Sequence, residues 1–146
     1  MVIREIRVSE LSELLALYRH LHESDDPLPE TNVVEGIWKQ IQTDPNLRYW
    51  GVFVDGMLVS SCALCIVPNL TRGCRPYGLI ENVVTHVDHR LKGYGQAVLR
   101  AALKYAWSRN CYKVMLLTGR TNEATYQFYE SVGFDRHAKQ AFFAKS

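Results

Sequence analysis

Glu81-Asn-Val-Val-Thr-His86-Val-Asp-His-Arg90-Leu-Lys-Gly93-Tyr-Gly95-Gln96 is the stretch around which the chain is organised. An apolar, β-branched run ends at His86, a short polar turn follows, and two glycines open a long helical pattern. Such a turn delivers unbonded backbone N–H groups at a helix start, where with the macrodipole they form a site for phosphate oxygens. The candidate donors are the amides of Leu91, Lys92, Gly93, Tyr94, Gly95 and Gln96. Glycine at 93 and 95 removes side chains that would keep a phosphate away. Arg90 and Lys92 add positive charge beside the turn. It has neither the Lys-Ser/Thr ending of a P-loop nor the three-glycine spacing of a dinucleotide-binding turn.

Working outward, residues 2–8 read as a strand, and Ser9 caps a helix carrying Leu11, Leu14, Leu15, Tyr18 and Leu21 at helical spacing. A second helix spans 33–42 and is stopped by Asp44-Pro45-Asn46. Strands over 48–54 and 57–67 are joined at Asp55-Gly56, a strong hairpin signal. A polar loop over 68–76 leads to the organising strand, 78–86. The helix over 92–109 is apolar except for one stripe, Arg100, Lys104 and Ser108, so it packs on a sheet with a single edge wet. A strand over 112–118, a helix over 121–132 ending at Gly133, and two short strands over 135–139 and 141–144 complete the order β-α-α-β-β-β-α-β-α-β. The expectation is one α/β domain with a mixed sheet, spanning all 146 residues.

The second informative stretch lies near the end. Asn122, Tyr126 and Tyr129 fall at i, i+4 and i+7 and share one helix face, while Phe128 and Val132 occupy an adjoining face suited to a core. Arg90-x-x-Gly93-x-Gly95, together with Asn122…Phe128-Tyr129-Glu130…Gly133-Phe134, resembles the two signatures of the GNAT superfamily of N-acetyltransferases. The resemblance implies the family's fold, with a central splayed sheet, and acetyl-CoA as cofactor. It implies that the strand bearing Val83, Val84 and Thr85 diverges from the strand at 115–118, so that unpaired backbone groups bind the pantetheine arm. An N–H near Val84 would then polarise the thioester carbonyl. Asn122 would lie near the cofactor, and Tyr129 would protonate the departing thiolate, since a phenol with an ordinary pKa near about 10 is a donor at neutral pH.

Glu81 is the candidate for taking the proton of the attacking amine, or for orienting its ammonium form. Strand alternation places it in a half-buried cleft on the same face as Val83 and Thr85, with Asn82 opposite and His86 as a third option. For the acceptor, residues 79–84 and 110–114 resemble the glucosamine-6-phosphate acetyltransferase branch, and residues 44–49 the aminoalkylphosphonate branch. Both take small amines bearing an anionic group, which makes Arg72, Arg75 and Arg120 candidate ligands for it. Asp25, Asp26 and Glu30 would favour a cationic acceptor instead, so its identity stays open. A non-catalytic acyl-CoA sensor and a protein N-terminal or lysine acetyltransferase are the rival readings; the pairing of an acid with a base favours a small-molecule enzyme.

Composition narrows the rest. A net charge of +2 with no basic block speaks against a nucleic-acid partner. No apolar run reaches membrane-spanning length, and Arg4, Glu5 and Arg7 do not suit a leader, so the expected location is cytoplasmic. Cys62 and Cys65 have zinc-like spacing but diverge on a strand, and His20 and His22 diverge on a helix, so no metal is expected. Members of the resembled family often pair through C-terminal strands, so the resemblance leaves room for a homodimer without the sequence itself demanding one.

Overall fold

Period-two patterning in the first half of the chain folds into an antiparallel meander: β1 (Val2–Glu5), β2 (Leu47–Val54), β3 (Met57–Val67) and β4 (Tyr77–Thr85). The β2–β3 turn is the one the sequence called for, with Asp55 and Gly56 both at positive φ (50° and 78°). A fifth strand, β5 (Val114–Leu116), adds to β4 in parallel, giving the order β1-β2-β3-β4-β5. This computed structural model describes residues 1–146.

Two apolar clusters sandwich the sheet. On one face α1 (Leu11–Tyr18) and α2 (Thr31–Thr43) bury Leu14, Leu17 and Trp38 against Ile6, Phe53, Leu58 and Val84. The Trp38 indole N–H donates to Val8 O at 2.9 Å, satisfying the one polar atom that this burial carries inward. On the other face α4 (Tyr94–Ser108) buries Val98, Leu99, Ala102 and Ala106 on Val52, Val59, Cys62, Leu64, Ile66 and Ile80. Phe128, Tyr129, Val132 and Phe134, from α5 (Glu123–Glu130) and the turn after it, pack on the rim of that cluster. The segment before β4 contains one turn, α3 (Thr71–Cys74), left-handed at Arg72 and Gly73.

The structure departs from expectation in two places. The two C-terminal strands do not form: no strand lies within residues 135–146. A strand needs an edge to pair with, and β5 offers three residues rather than the seven expected over 112–118. Arg136 meanwhile ties the start of this segment back onto α5 through ion pairs with Glu123 and Glu130, and Phe142 and Phe143 remain 91% and 80% exposed. The second departure is in β4, which is not a regular strand. Glu81 pairs with Ala63 and Val84 with Ser61, so Asn82 and Val83 together stand opposite Cys62 alone. This is a β-bulge, with Asn82 left-handed at φ 54°.

Candidate active site

β4 and β5 are paired only from Gly78/Val114 to Ile80/Leu116. Beyond that, β4 runs on to Thr85 with no strand on its β5 side, which is the divergence expected around Val83, Val84 and Thr85. The bulge changes which side chains look into it. Ile80 belongs to the cluster under α4, whereas Val84, four residues on, belongs to the cluster under α1 and α2. In a regular strand the two would share a face. Val83 packs with the α4 cluster, and Thr85 Oγ1 bonds Ser60 Oγ at 2.9 Å and faces Gly95. The plain alternation that placed Glu81 with Val83 and Thr85 therefore fails: the extra residue at Asn82 puts Glu81 on the opposite face. Its carboxylate is exposed rather than half-buried, and it makes no ion pair.

Past Thr85 the chain makes a short 3-10 turn, Val87–His89, and enters α4 through Arg90, Leu91, Lys92 and Gly93. Leu91 (φ 62°) and Gly93 (φ 84°) are both left-handed, which swings successive amides outward. None of the N–H groups from Leu91 to Gln96 meets a protein acceptor, and no side chain caps the helix. The first bond of α4 is from the Ala97 amide to Gly93 O, at 3.0 Å. Six consecutive unmatched donors at the positive end of a 15-residue helix form a polyanion cradle built from backbone. Nothing stands within 4 Å of where a Gly93 side chain would project, so the approach is open and glycine is needed there for its φ. Gly95 has a different reason from the one expected: a Cβ would lie 2.8 Å from the Phe128 ring, so glycine lets α5 close on α4.

Arg90 does not point freely at the cradle. Its Nε donates to Thr85 O at 3.2 Å and its Nη2 to His20 O at 3.1 Å, bracing the end of β4 against the end of α1. The same junction stacks the His20 and His86 rings, 4.0 Å between centroids, and His20 Nδ1 accepts the Val87 N–H at 3.5 Å. Burial, followed by the neighbouring His86 and Arg90, holds His20 below the ordinary imidazole pKa. His86 Nδ1 accepts the Asp88 N–H at 3.1 Å, so it caps the turn and is committed elsewhere than to an acceptor amine. Lys92 Nζ donates to Asp88 O at 3.3 Å.

Tyr129 lies at the far wall. Its ring packs against Phe128 and Phe134, and its hydroxyl has no protein hydrogen-bond partner. Burial raises its pKa, the positive charge of Arg120 partly offsets this, and Glu81 adds to the rise. Arg120 and Glu81 both act on the phenol through space. Arg120 forms no ion pair, so its charge is available there. Asn122 is the N-cap of α5, its Oδ1 accepting the Thr125 N–H at 2.9 Å, which leaves the amide nitrogen uncommitted. Arg72 and Arg75 are elsewhere. Arg75 donates to Asn110 O and Cys111 O, each at 3.3 Å, and Arg72 sits over the Tyr112 ring. Both lie before the start of β4 at Tyr77, which is itself four residues, about 13 Å at strand rise, from Glu81. Sequence reasoning missed the bracing role of His20, which depends on α1 docking against β4.

The sequence pattern of the Acetyltransferase (GNAT) family matches residues 10–134. The chain belongs to that family. It is an N-acetyltransferase, and the enzymes of the family use acetyl-CoA. A glucosamine 6-phosphate N-acetyltransferase of Trypanosoma brucei brucei is 32% identical over 138 residues, covering 94% of this chain and 91% of its own. The enzyme of the same name from Schizosaccharomyces pombe is 33% identical over 100 residues, covering 66% of this chain and 87% of its own. Among solved structures, one from Agrobacterium tumefaciens str. C58, assigned only provisionally as an acetyltransferase, superposes with a TM-score of 0.93 at 40% identity over 100% of both chains. No helix of the chain is long and apolar enough to cross a membrane.

Proposed function

We propose that this chain, acting as a single domain, transfers the acetyl group of acetyl-CoA to the primary amine of a small amino sugar phosphate or similar anionic amine, by direct attack with both substrates bound. The observation that carries the reading is the row of unmatched amides from Leu91 to Gln96 beside the gap between β4 and β5. A diphosphate fits this donor set: it needs several hydrogen bonds and positive potential, and it needs backbone that can be approached closely. Lys92 adds charge, while Arg90 supports the cradle from behind. The bound cofactor supplies an acyl thioester, and the remaining chemistry falls to the protein.

Backbone amides of residues 83–85, unpaired toward β5, would hold the pantetheine arm, and the one near Val84 would donate to the acetyl oxygen. Glu81, exposed on β4 just before the bulge, would accept the amine proton directly or through water. Tyr129, kept protonated by burial, would give its proton to the leaving sulfur and recover one from solvent. Arg120, which makes no ion pair, would meet an anionic group on the acceptor, because Arg72 and Arg75 are engaged before the start of β4. An amino sugar phosphate is favoured by the two relatives of that activity. The deciding experiment is a panel of amines, with and without phosphate, incubated with acetyl-CoA while released thiol is followed. Turnover should be fastest with glucosamine 6-phosphate or a close analogue. Equal turnover of the unphosphorylated amines would remove the anion from the reading, and no turnover on any amine would favour the sensor.

A further inference from the structure

A chain of aromatic rings runs from the end of α1 to the start of α4, across the turn that leads into the cradle. His20 stacks on His86 at 4.0 Å between centroids, His86 meets His89 edge-on at 5.4 Å, and His89 stands 6.2 Å from Tyr94, the first residue of α4. Two of these imidazoles use Nδ1 as the acceptor for consecutive backbone amides of the turn. His86 accepts from Asp88 at 3.1 Å and His20 accepts from Val87 at 3.5 Å. An imidazole nitrogen accepts only while it carries no proton, so the turn holds both rings in the neutral Nε2–H form.

The groups around the pair set what a proton would do there. His20 faces His86, Arg90 and Asp88; burial, then His86 and Arg90, disfavour charge on it against the opposing pull of Asp88. His86 faces His20 from α1, and His89 and Asp88 from the turn, with Asp88 Oδ2 at 4.0 Å from its Nδ1. A proton arriving at His86 Nδ1 therefore has a carboxylate to turn toward and an amide N–H to turn away from. The Asp88 amide then loses its acceptor, just ahead of the two left-handed residues, Leu91 and Gly93, that aim the cradle amides.

We propose that His86 and His20 are positioning residues for the cofactor: as neutral acceptors they hold the Val87–His89 turn, and through it the Leu91–Gln96 amides, in the diphosphate-binding shape, so that cofactor affinity falls as the pair takes up a proton. The inference rests on the cradle reading above and adds to it two residues outside the cradle.

The probe is dephospho-CoA, whose diphosphate stays ionised throughout the range in which imidazole titrates. It is titrated calorimetrically into the wild type, His86→Ala and the double variant His20→Asn/His86→Asn, with circular dichroism confirming the fold at each pH. Asparagine supplies a side-chain oxygen that accepts a nearby amide N–H and does not titrate. Wild-type affinity should fall by up to about tenfold between about pH 7.5 and 5.5, as when binding requires one neutral imidazole of ordinary pKa near about 6.5. The double asparagine variant should show no such fall, and His86→Ala should bind more weakly than the wild type at both pH values. Wild-type affinity that stays constant, or that tightens at low pH because the bound anion draws the proton in, would overturn the proposal and leave the cradle standing. The same follows if the asparagine variant keeps the wild-type slope or if His86→Ala binds as well as the wild type at the higher pH. A wild type that binds neither dephospho-CoA nor acetyl-CoA at any pH would sink the cradle reading and this one with it.

Discussion

Gly95→Ala probes the contact through which the two sequence motifs meet. The added carbon would lie 2.8 Å and 2.9 Å from two atoms of the Phe128 ring and 3.4 Å from Thr85 Oγ1. Phe128 has little room to turn, because it packs on the α4 cluster and at 4.9 Å against Tyr129. Restoring ordinary contact moves the ring, and α5 with it, by roughly half an ångström or more, and overpacking of this kind costs about 1–3 kcal/mol. Alanine returns up to about 1 kcal/mol through its better helix propensity. Gly36→Ala is the matched control, since nothing lies within 4 Å of a Cβ there and α2 receives the propensity alone. At about 2–4 °C per kcal/mol for a chain near this size, Gly95→Ala should melt several degrees below Gly36→Ala. Tyr129 rides on the displaced helix, so kcat should fall, by up to about a hundredfold for a shift approaching 1 Å. Thermal unfolding followed by circular dichroism and steady-state kinetics on both variants provide the readings. If Gly95→Ala melted with Gly36→Ala and kept wild-type kcat, the tight α4–α5 contact would be refuted.

Tyr129→Phe should lower kcat by about a hundredfold or more while acetyl-CoA affinity, measured by titration, stays within twofold or so; wild-type turnover would take the hydroxyl out of the reaction. Gly93→Val forces a β-branched residue to φ 84° and should abolish CoA binding in calorimetry, whereas retained binding would place the diphosphate elsewhere. Cys62 gives a pH prediction. Burial pushes its thiol from 9.0 up to about 12, so between those values the unfolded chain loses a proton that the folded chain keeps, and stability falls as pH rises. Urea melts at pH 7.5 and 10.5 should differ by roughly 2 kcal/mol from this residue, and Cys62→Ala should flatten the slope; an unchanged slope would argue against a protonated, buried Cys62.

Much of the fold was legible because it depends on local patterns. The Asp55-Gly56 hairpin, the heptad-like burial of α4 and the glycine turn before it all follow from residues close in sequence. The cradle was legible for the same reason: a backbone site needs only a turn and a helix start. What escaped was long-range. Asn82 hints at a left-handed position only weakly, since asparagine takes that conformation more readily than most residues but also sits in many others, and the period of two looks intact across it. Arg90 was read as a phosphate ligand because a cation beside a glycine turn has that chemistry. Its commitment to Thr85 O and His20 O depends on α1 ending alongside β4, a fact spread over 70 residues of sequence separation. The C-terminal strands were expected as the elements that close the chain, and local sequence says nothing about whether an edge is free to receive them.

A helix that begins with six donors and no cap is incomplete by itself. An ordinary protein would place a serine or an aspartate at that end, and this chain has left the position to glycine, a difference of only about a few tenths of a kcal/mol. Whatever anion settles there finishes the helix as well as entering the reaction, so ligand occupancy and thermal endurance should rise together, by about 2.7 kcal/mol at a hundredfold excess over the dissociation constant. Cells short of acetyl-CoA and CoA would then hold not merely an idle enzyme but a more fragile one, with its turnover by proteases tied to the supply of its own substrate.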